Sequence, residues 1–302
     1  MPGVIRPLQQ GDQRAAAALF TATYPGRAGE AANWHNDDAV GSPRRYVAAA
    51  ESPQSVVAYG AIWRVRPGKF RMDLVVSPGW RRRGIGGWLL AHLGDQARIA
   101  GAATLQARVE DDDGESLAFL VARGFAETMR MRHQVLQVAE ARLAAQARLP
   151  GRLAHRGIVI ETLQHEQNRT PECWQRFCDL YNAARDGWPD PDPGPVDTLT
   201  PLEFQRRHRT YEAEVGEGAD RCFLARADDL YLGFTGALGT GVRPDFRGQG
   251  IATALKVHAI TDARDRGVTT VRTSTGNPAM LRVNERLGFR TTSTEIRLIQ
   301  TL

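Results

Sequence analysis

The chain has 302 residues, of which 42% are hydrophobic and 24% charged, with a formal net charge of +5. That length suits about two domains of ordinary size, and the composition is that of a soluble globular protein. No apolar run is long enough to span a bilayer, no signal-peptide pattern opens the chain, and no basic run is interleaved with aromatic residues, so neither membrane nor nucleic acid is expected as a partner.

Val4 to Leu8 reads as a first strand, and an alanine-rich helix follows from Asp12 to about Thr23. Tyr24-Pro25-Gly26 breaks it, and a short helix is expected from about Glu30 to Asp38. Arg45 to Ala50, Ser55 to Val65 and Phe70 to Val76 are β-branched or alternating runs separated by turn residues, hence strands. A glycine turn and a helix to about Ala100 come next, then a strand (Ala103 to Val109), a helix (Gly114 to Arg123) and a last strand region (Phe125 to Val138). Residues 139–156 read as a helical linker. Leu143, Leu149 and Leu153 give it apolar contacts, which suits docking better than a free tether.

The fold restarts with a strand at Gly157 to Leu163 and a helix at Pro171 to Ala184. Residues 185–195 are too proline-rich for helix or central strand. Thr200, Pro201 and Glu203 form a capping signature for another helix. Cys222 to Arg226, Leu230 to Thr235 and Leu238 to Val242 are strands, the last two joined by an unusually short hairpin. A helix from Ile251 ends at Gly267, and Val268 to Thr273 is the next strand.

The second half repeats the first. Val76, Pro78, Arg81, Gly84, Gly86, Leu89, Ala97 and Gly101 reappear 166 positions later as Val242, Pro244, Arg247, Gly250, Ala252, Leu255, Ala263 and Gly267. Gly124-Phe125 reappears as Gly288-Phe289, a shift of 164. A repeat of this length means two copies of one domain. Each copy contains strand, glycine turn and helix. The first amides of a helix lack internal partners, and its dipole places positive charge there, so the arrangement binds anions.

Arg81-x-x-Gly84-x-Gly86 and Arg247-x-x-Gly250-x-Ala252 resemble the acyl-CoA pyrophosphate loop of the GNAT N-acetyltransferase superfamily. The Gly-Phe segments resemble that family's second CoA motif. The resemblance covers nearly the whole chain as a tandem pair. It implies an α/β fold of two tandem domains, 1–138 and 157–302, each a mixed, largely antiparallel sheet flanked by helices. The implied activity is transfer of an acetyl group from acetyl-CoA to a primary amine of a small molecule or peptide. The implied CoA contacts are Val75, Val76, Arg81, Arg82, Arg83, Gly84, Ile85 and Gly86 in the first copy. In the second they are Gly241, Val242, Arg247, Gly248, Gln249, Gly250, Ile251, Ala252 and Asn277.

Acetyl transfer also needs a base for the amine and help for the leaving thiolate. Many members place a tyrosine four residues before the Gly-Phe glycine. Here that position is Asn284 or Leu120. Asparagine can donate a hydrogen bond to sulfur but no proton, and leucine can do neither. Asp113, the counterpart of Asn277, puts negative charge near an anionic cofactor. These differences favour the C-terminal copy as the catalytic half, with Asn284 beside the thiolate. Asp73 stands where the family often has an acid, but on the N-terminal copy. Asp186, Asp190 and Asp192 could attract a cationic amine, and Trp34 and Trp188 lie near segments that shape the acceptor pocket. Catalysis in the N-terminal copy and a non-catalytic acyl-CoA-binding protein are the alternatives.

No metal is expected, because the seven histidines are scattered without ligand spacing. Cys173, Cys178 and Cys222 lack a C-x-x-C spacing and read as free thiols of a cytoplasmic protein.

Overall fold

The computed structural model describes residues 4–24, 43–50, 55–146, 148–185, 188–189, 198–215, 221–236 and 238–302. The helix expected at Glu30–Asp38, and with it Trp34, lies outside them, as do Asp186, Asp190 and Asp192. The chain forms two compact units. Unit 1 is Met1–Arg130 with Glu295–Leu302, and unit 2 is Met131–Thr294.

Unit 1 contains β1 (Val4–Pro7), α1 (Gln13–Thr23), β2 (Arg44–Ala49), β3 (Val56–Arg66) and β4 (Lys69–Val76). These are followed by α2 (Ile85–Ile99), β5 (Thr104–Glu110), α3 (Gly114–Val121) and the start of β6 (Ala126–Gln137). The strands β1 to β4 form an antiparallel meander, and β4 pairs with β5 in parallel. Glu295–Thr301 adds an antiparallel strand to the far side of β5. It is the second part of β12 (Arg290–Thr301), a strand that the sequence reading does not anticipate. Those C-terminal residues, grouped from sequence with the second copy, therefore belong to unit 1.

Side chains on β4 alternate, so both faces of the sheet are put to use. Phe70 and Met72 pack with Leu89 and Leu93 of α2, while Val75 faces Phe20 of α1 and Tyr59. The helix sits so close to β3 that a Cβ on Gly60 would lie 2.8 Å from Leu93 Cδ1. Only glycine fits that crossing without displacing the leucine.

Unit 2 contains the rest of β6, α4 (Leu149–Ala154), β7 (Ile158–Thr162), α5 (Leu163–Arg169), α6 (Cys173–Ala184) and α7 (Pro201–Val215). Then come β8 (Phe223–Ala227), β9 (Leu230–Gly236), β10 (Gly239–Val242), α8 (Ile251–Asp265), β11 (Thr270–Thr275) and α9 (Pro278–Leu287). The sheet order β10-β9-β8-β7 is antiparallel throughout. The β9–β10 hairpin is as short as its sequence suggests, with Gly236 opposite Gly239. β11 pairs instead with Arg132–Gln137 of β6. An aromatic core of Phe177, Tyr181, Phe204 and Phe234 joins α6 and α7 to β9. Within unit 2, Leu149 and Leu153 of the linker pack against Val242, Ile251 and Leu255.

Helix α5, also absent from the sequence reading, carries the fully buried Glu166. Arg169 Nε, Arg226 Nε and Tyr231 Oη donate to its carboxylate at 2.9, 2.9 and 2.8 Å. Burial opposes ionisation of Glu166, but these three donors outweigh it and hold its pKa below the usual carboxylate range. Because that folded-state pKa is lowered, the stabilisation is present above the unfolded value of about 4.3 and lost as pH falls through the folded value. Glu166→Gln removes the carboxylate shared by Arg226 and Arg169, of which Arg169 keeps Asp229 at 3.2 Å. It should destabilise unit 2 by about 3 kcal/mol, the low end for a broken buried pair because Arg169 is partly exposed. Urea melts from pH 7 to pH 3 check this: the variant's stability should depend less on pH below 4.3, and parallel curves would refute it.

Candidate active site

In unit 1, β4 and β5 pair only over Lys69–Arg71 and Thr104–Gln106. Beyond Arg71 the two parallel strands part, so Asp73, Val75 and Val76 line a gap in the sheet. In unit 2 the corresponding strand, β10, is bonded to β9, and β11 is bonded to β6. Each unit thus opens its sheet at the same place in the repeat.

The glycine turns follow at the ends of these strands. Each begins with a short 3-10 turn, Pro78–Trp80 or Pro244–Phe246, and continues to a helix whose N-cap glycine is left-handed. The φ values are +82° at Gly84 and +86° at Gly250, where a Cβ is disfavoured. The first helical bonds are Trp88 N to Gly84 O and Ala254 N to Gly250 O, each 3.0 Å. The amides of Ile85 to Gly87 and of Ile251 to Thr253 are therefore the free donors at each helix start. Arg81 Nε donates to Val76 O at 3.2 Å, and Arg247 Nε to Val242 O at 3.1 Å. The two loops are built alike down to that bond.

Their surroundings differ. In unit 1, Arg81, Arg82, Arg83 and Gly84 are all exposed, and nothing lies within 4 Å of where a Cβ on Gly84 would be. Arg82 holds a left-handed φ of +61°, a conformation that its counterpart Gly248 adopts without a steric cost. A further cation joins them. Arg123, against the ring of Phe119 at 3.7 Å, brings Nη2 to 3.1 Å from where a Cβ on Gly87 would be, beside the first turn of α2. Sequence reasoning missed Arg123, whose counterpart in the repeat is the fully buried Leu287.

In unit 2 the same features are occupied. Leu149 Cδ1 lies 2.8 Å from where a Cβ on Gly250 would be, so an apolar side chain covers the loop backbone on that side. Arg247 Nη2 donates to Ala184 O at 3.1 Å, and Gln249 is bonded to Arg156 and to Asp245 O.

The remaining expected residues fall as follows. Asn277 is the N-cap of α9, its Oδ1 accepting from Ala279 N and Met280 N at 2.8 and 3.2 Å. Asp113 is the N-cap of α3, accepting from Ser116 N at 3.0 Å, where the helix dipole favours its charge. Asn284 is fully buried, and its Nδ2 donates to Gln134 Oε1 at 2.7 Å. One of its two amide hydrogens thus has a partner in Gln134. Trp188 packs on Tyr181 and Phe234 beside Gly239. Asp73 is 7% exposed on the gap side of β4, with Arg108 Nε 4.0 Å from its carboxylate. Among the described residues, no group of three or more His, Cys, Asp and Glu is placed to hold a metal, and no helix is long and apolar enough to cross a membrane. Burial pushes the pKa of both Cys173 and Cys178 up, which suits packed thiols rather than nucleophiles.

The acetyltransferase (GNAT) family model matches residues 14–125 and again 174–289, and the chain belongs to that family. It is an acetyltransferase with tandem domains, and acetyl-CoA is the donor such enzymes use. A mycothiol acetyltransferase of Cellulomonas flavigena is 27% identical over 267 residues, covering 80% of this chain and 70% of that protein. A GCN5-related N-acetyltransferase structure from Sphaerobacter thermophilus shares the fold, with TM-score 0.68, 19% identity and 98% and 95% of the two chains covered. So does a tandem GNAT protein from the clavulanic acid biosynthesis pathway, with TM-score 0.62, 20% identity and 98% and 97% covered.

The two loop environments lead to a count. Calorimetry with CoA should give one tight site per chain, and Gly84→Glu should abolish it by putting bulk and negative charge at the open loop. Two equal tight sites, or binding that survives the substitution, would contradict this.

Proposed function

We propose that the chain moves an acetyl group from acetyl-CoA to a primary amine of a small molecule or peptide, and that the transfer takes place in unit 1. The observation that carries this is the contrast between the loops: Gly84 is open among cations, while Gly250 lies under Leu149. CoA carries several negative charges, and four arginines around free helix amides complement them. The pantetheine arm would run into the gap between β4 and β5, with the amides near Val75 and Val76 polarising the thioester carbonyl.

The chemistry follows from what borders that gap. The amine nitrogen attacks the carbonyl carbon, an N–C bond forms and the C–S bond breaks. Asp73 orients the ammonium and takes its proton, directly or through water. The attacking nitrogen sheds its second proton as the C–S bond breaks; Leu120 occupies the position of the usual acid and has no proton to give, so that proton passes through water to the departing thiolate. Cytoplasmic residence is part of the same reading, in keeping with three cysteines that form no disulfide.

A second reading keeps the chemistry in unit 2, with Asn284 as hydrogen-bond donor to sulfur. The open edge of β10 favours it. The two readings separate on mutation. With Asp73 as base, Asp73→Asn should lower turnover by about 10² or more, the usual contribution of a positioned general base. Asn284→Ala should then change turnover little per folded molecule, although it disturbs a buried bond. The opposite pattern, impaired turnover in Asn284→Ala and full activity in Asp73→Asn, would move the reaction to unit 2.

A further inference from the structure

On the sheet of unit 1, the period-two alternation that sends Phe70, Met72, Leu105 and Leu298 into the core sends another set to the opposite face. That set is Arg71 and Asp73 on β4, Gln106 and Arg108 on β5, and Glu295 and Arg297 on β12. Register puts Arg108 directly opposite Arg297, and like charges in that position destabilise a sheet. Glu295 partly offsets this, bonding Arg297 Nε at 2.7 Å and standing 3.8 Å from Arg108 Nη1. Arg71 reaches Gln106 Oε1 at 3.4 Å.

Three guanidiniums thus meet two carboxylates, leaving one positive charge in excess. Among the described residues the Arg108 side chain makes no hydrogen bond, and its Nε is buried without a hydrogen-bond partner. Both of its ion-pair distances, 4.0 and 3.8 Å, lie beyond hydrogen-bond range. Arg71 titrates lower, at about 10, first because of burial and then because of Arg108 and Arg297, with Glu295 and Asp73 acting the other way. A half-buried guanidinium without hydrogen bonds is costly unless an anion joins it. Its planar fork fits a carboxylate. The set also begins where β4 and β5 part, next to the thioester position given above. There Asp73 and Arg108 present an anion and a cation side by side.

We propose that the acceptor is an amine that carries its own carboxylate, of the α-amino acid kind, with Arg108 and Arg71 receiving the carboxylate and Asp73 the ammonium. This rests on acetyl transfer in unit 1. The test follows CoA thiol release by the full chain with a panel of amino acids and their α-carboxamides. In parallel, calorimetry measures binding of the matching N-acetyl amino acids and N-acetyl amino acid amides to the CoA-loaded protein. Carboxylates should be preferred tenfold or more in kcat/KM and in Kd. Arg108→Gln should reduce that preference at least tenfold, mainly through KM, and Arg108→Lys should restore part of it. Equal treatment of carboxylates and carboxamides overturns the proposal. So does failure of every carboxylate to react or bind, or a preference for phosphoethanolamine over both. Loss of CoA binding in Gly84→Glu together with indifference to the carboxylate refutes the acceptor class alone. CoA binding unaffected by Gly84→Glu refutes the site itself.

Discussion

The site proposed in unit 1 depends on two parallel strands that pair for three residues and then separate. A sheet interior has no unpaired backbone groups, because each one left dry costs free energy. Parting β4 from β5 leaves donors and acceptors on facing edges, and an extended ligand with amides of its own can satisfy them as a strand would. The same parting sets the two ends of the gap. At one end lies the start of α2, with free amides and Arg81, Arg82, Arg83 and Arg123. At the other lie Asp73 and Arg108, held by the pleat on a single face. In the proposed site, strand geometry would thus set the acceptor beside the thioester, while the glycine loop holds the diphosphate.

The repeat shows how the same backbone can be retained while its chemistry changes. Unit 2 keeps the left-handed glycine, the 3-10 turn and the arginine bonded to the preceding strand's carbonyl. Around that frame Arg123 is replaced by Leu287, and Leu149 fills the space above Gly250. Burying a leucine contributes about 2 kcal/mol, comparable with any one hydrogen bond a phosphate would offer that loop. A loop covered in this way stabilises the unit in its ligand-free form. The exposed arginines of unit 1, one of them in a strained left-handed conformation, do the reverse and remain available to an anion.

Much of this was legible in the sequence because it depends on local rules. The two glycine turns, the helices after them and the strand periods follow from positive-φ positions and apolar spacing, and they appear within a residue or two of expectation. Helix α5 was not legible, since Leu163–Arg169 is short and polar and is held by the tertiary bonds of Glu166. Nor was β12, whose Glu295–Thr301 pairs with β5 far back in the chain, a non-local contact that no window of sequence contains. The Arg71–Arg108–Arg297 face escaped for the same reason, because its members come from three strands and meet only through register.

Asn284 shows what motif position leaves open about a side chain's surroundings. It stands where related enzymes carry a thiolate partner, and its side chain can donate. What the alignment of the repeat could not reveal is that Gln134, from β6, is within 2.7 Å of it. Two amides that share one hydrogen bond leave Asn284 Oδ1 and Gln134 Nε2 without partners among the described residues. Each unpaired group carries a desolvation cost of about 1–3 kcal/mol. One of the two amide hydrogens of Asn284 is thereby taken by Gln134. At the corresponding position in unit 1 the chain places a leucine, which has no such group to satisfy, and the polar side chains there lie on the strands that border the gap.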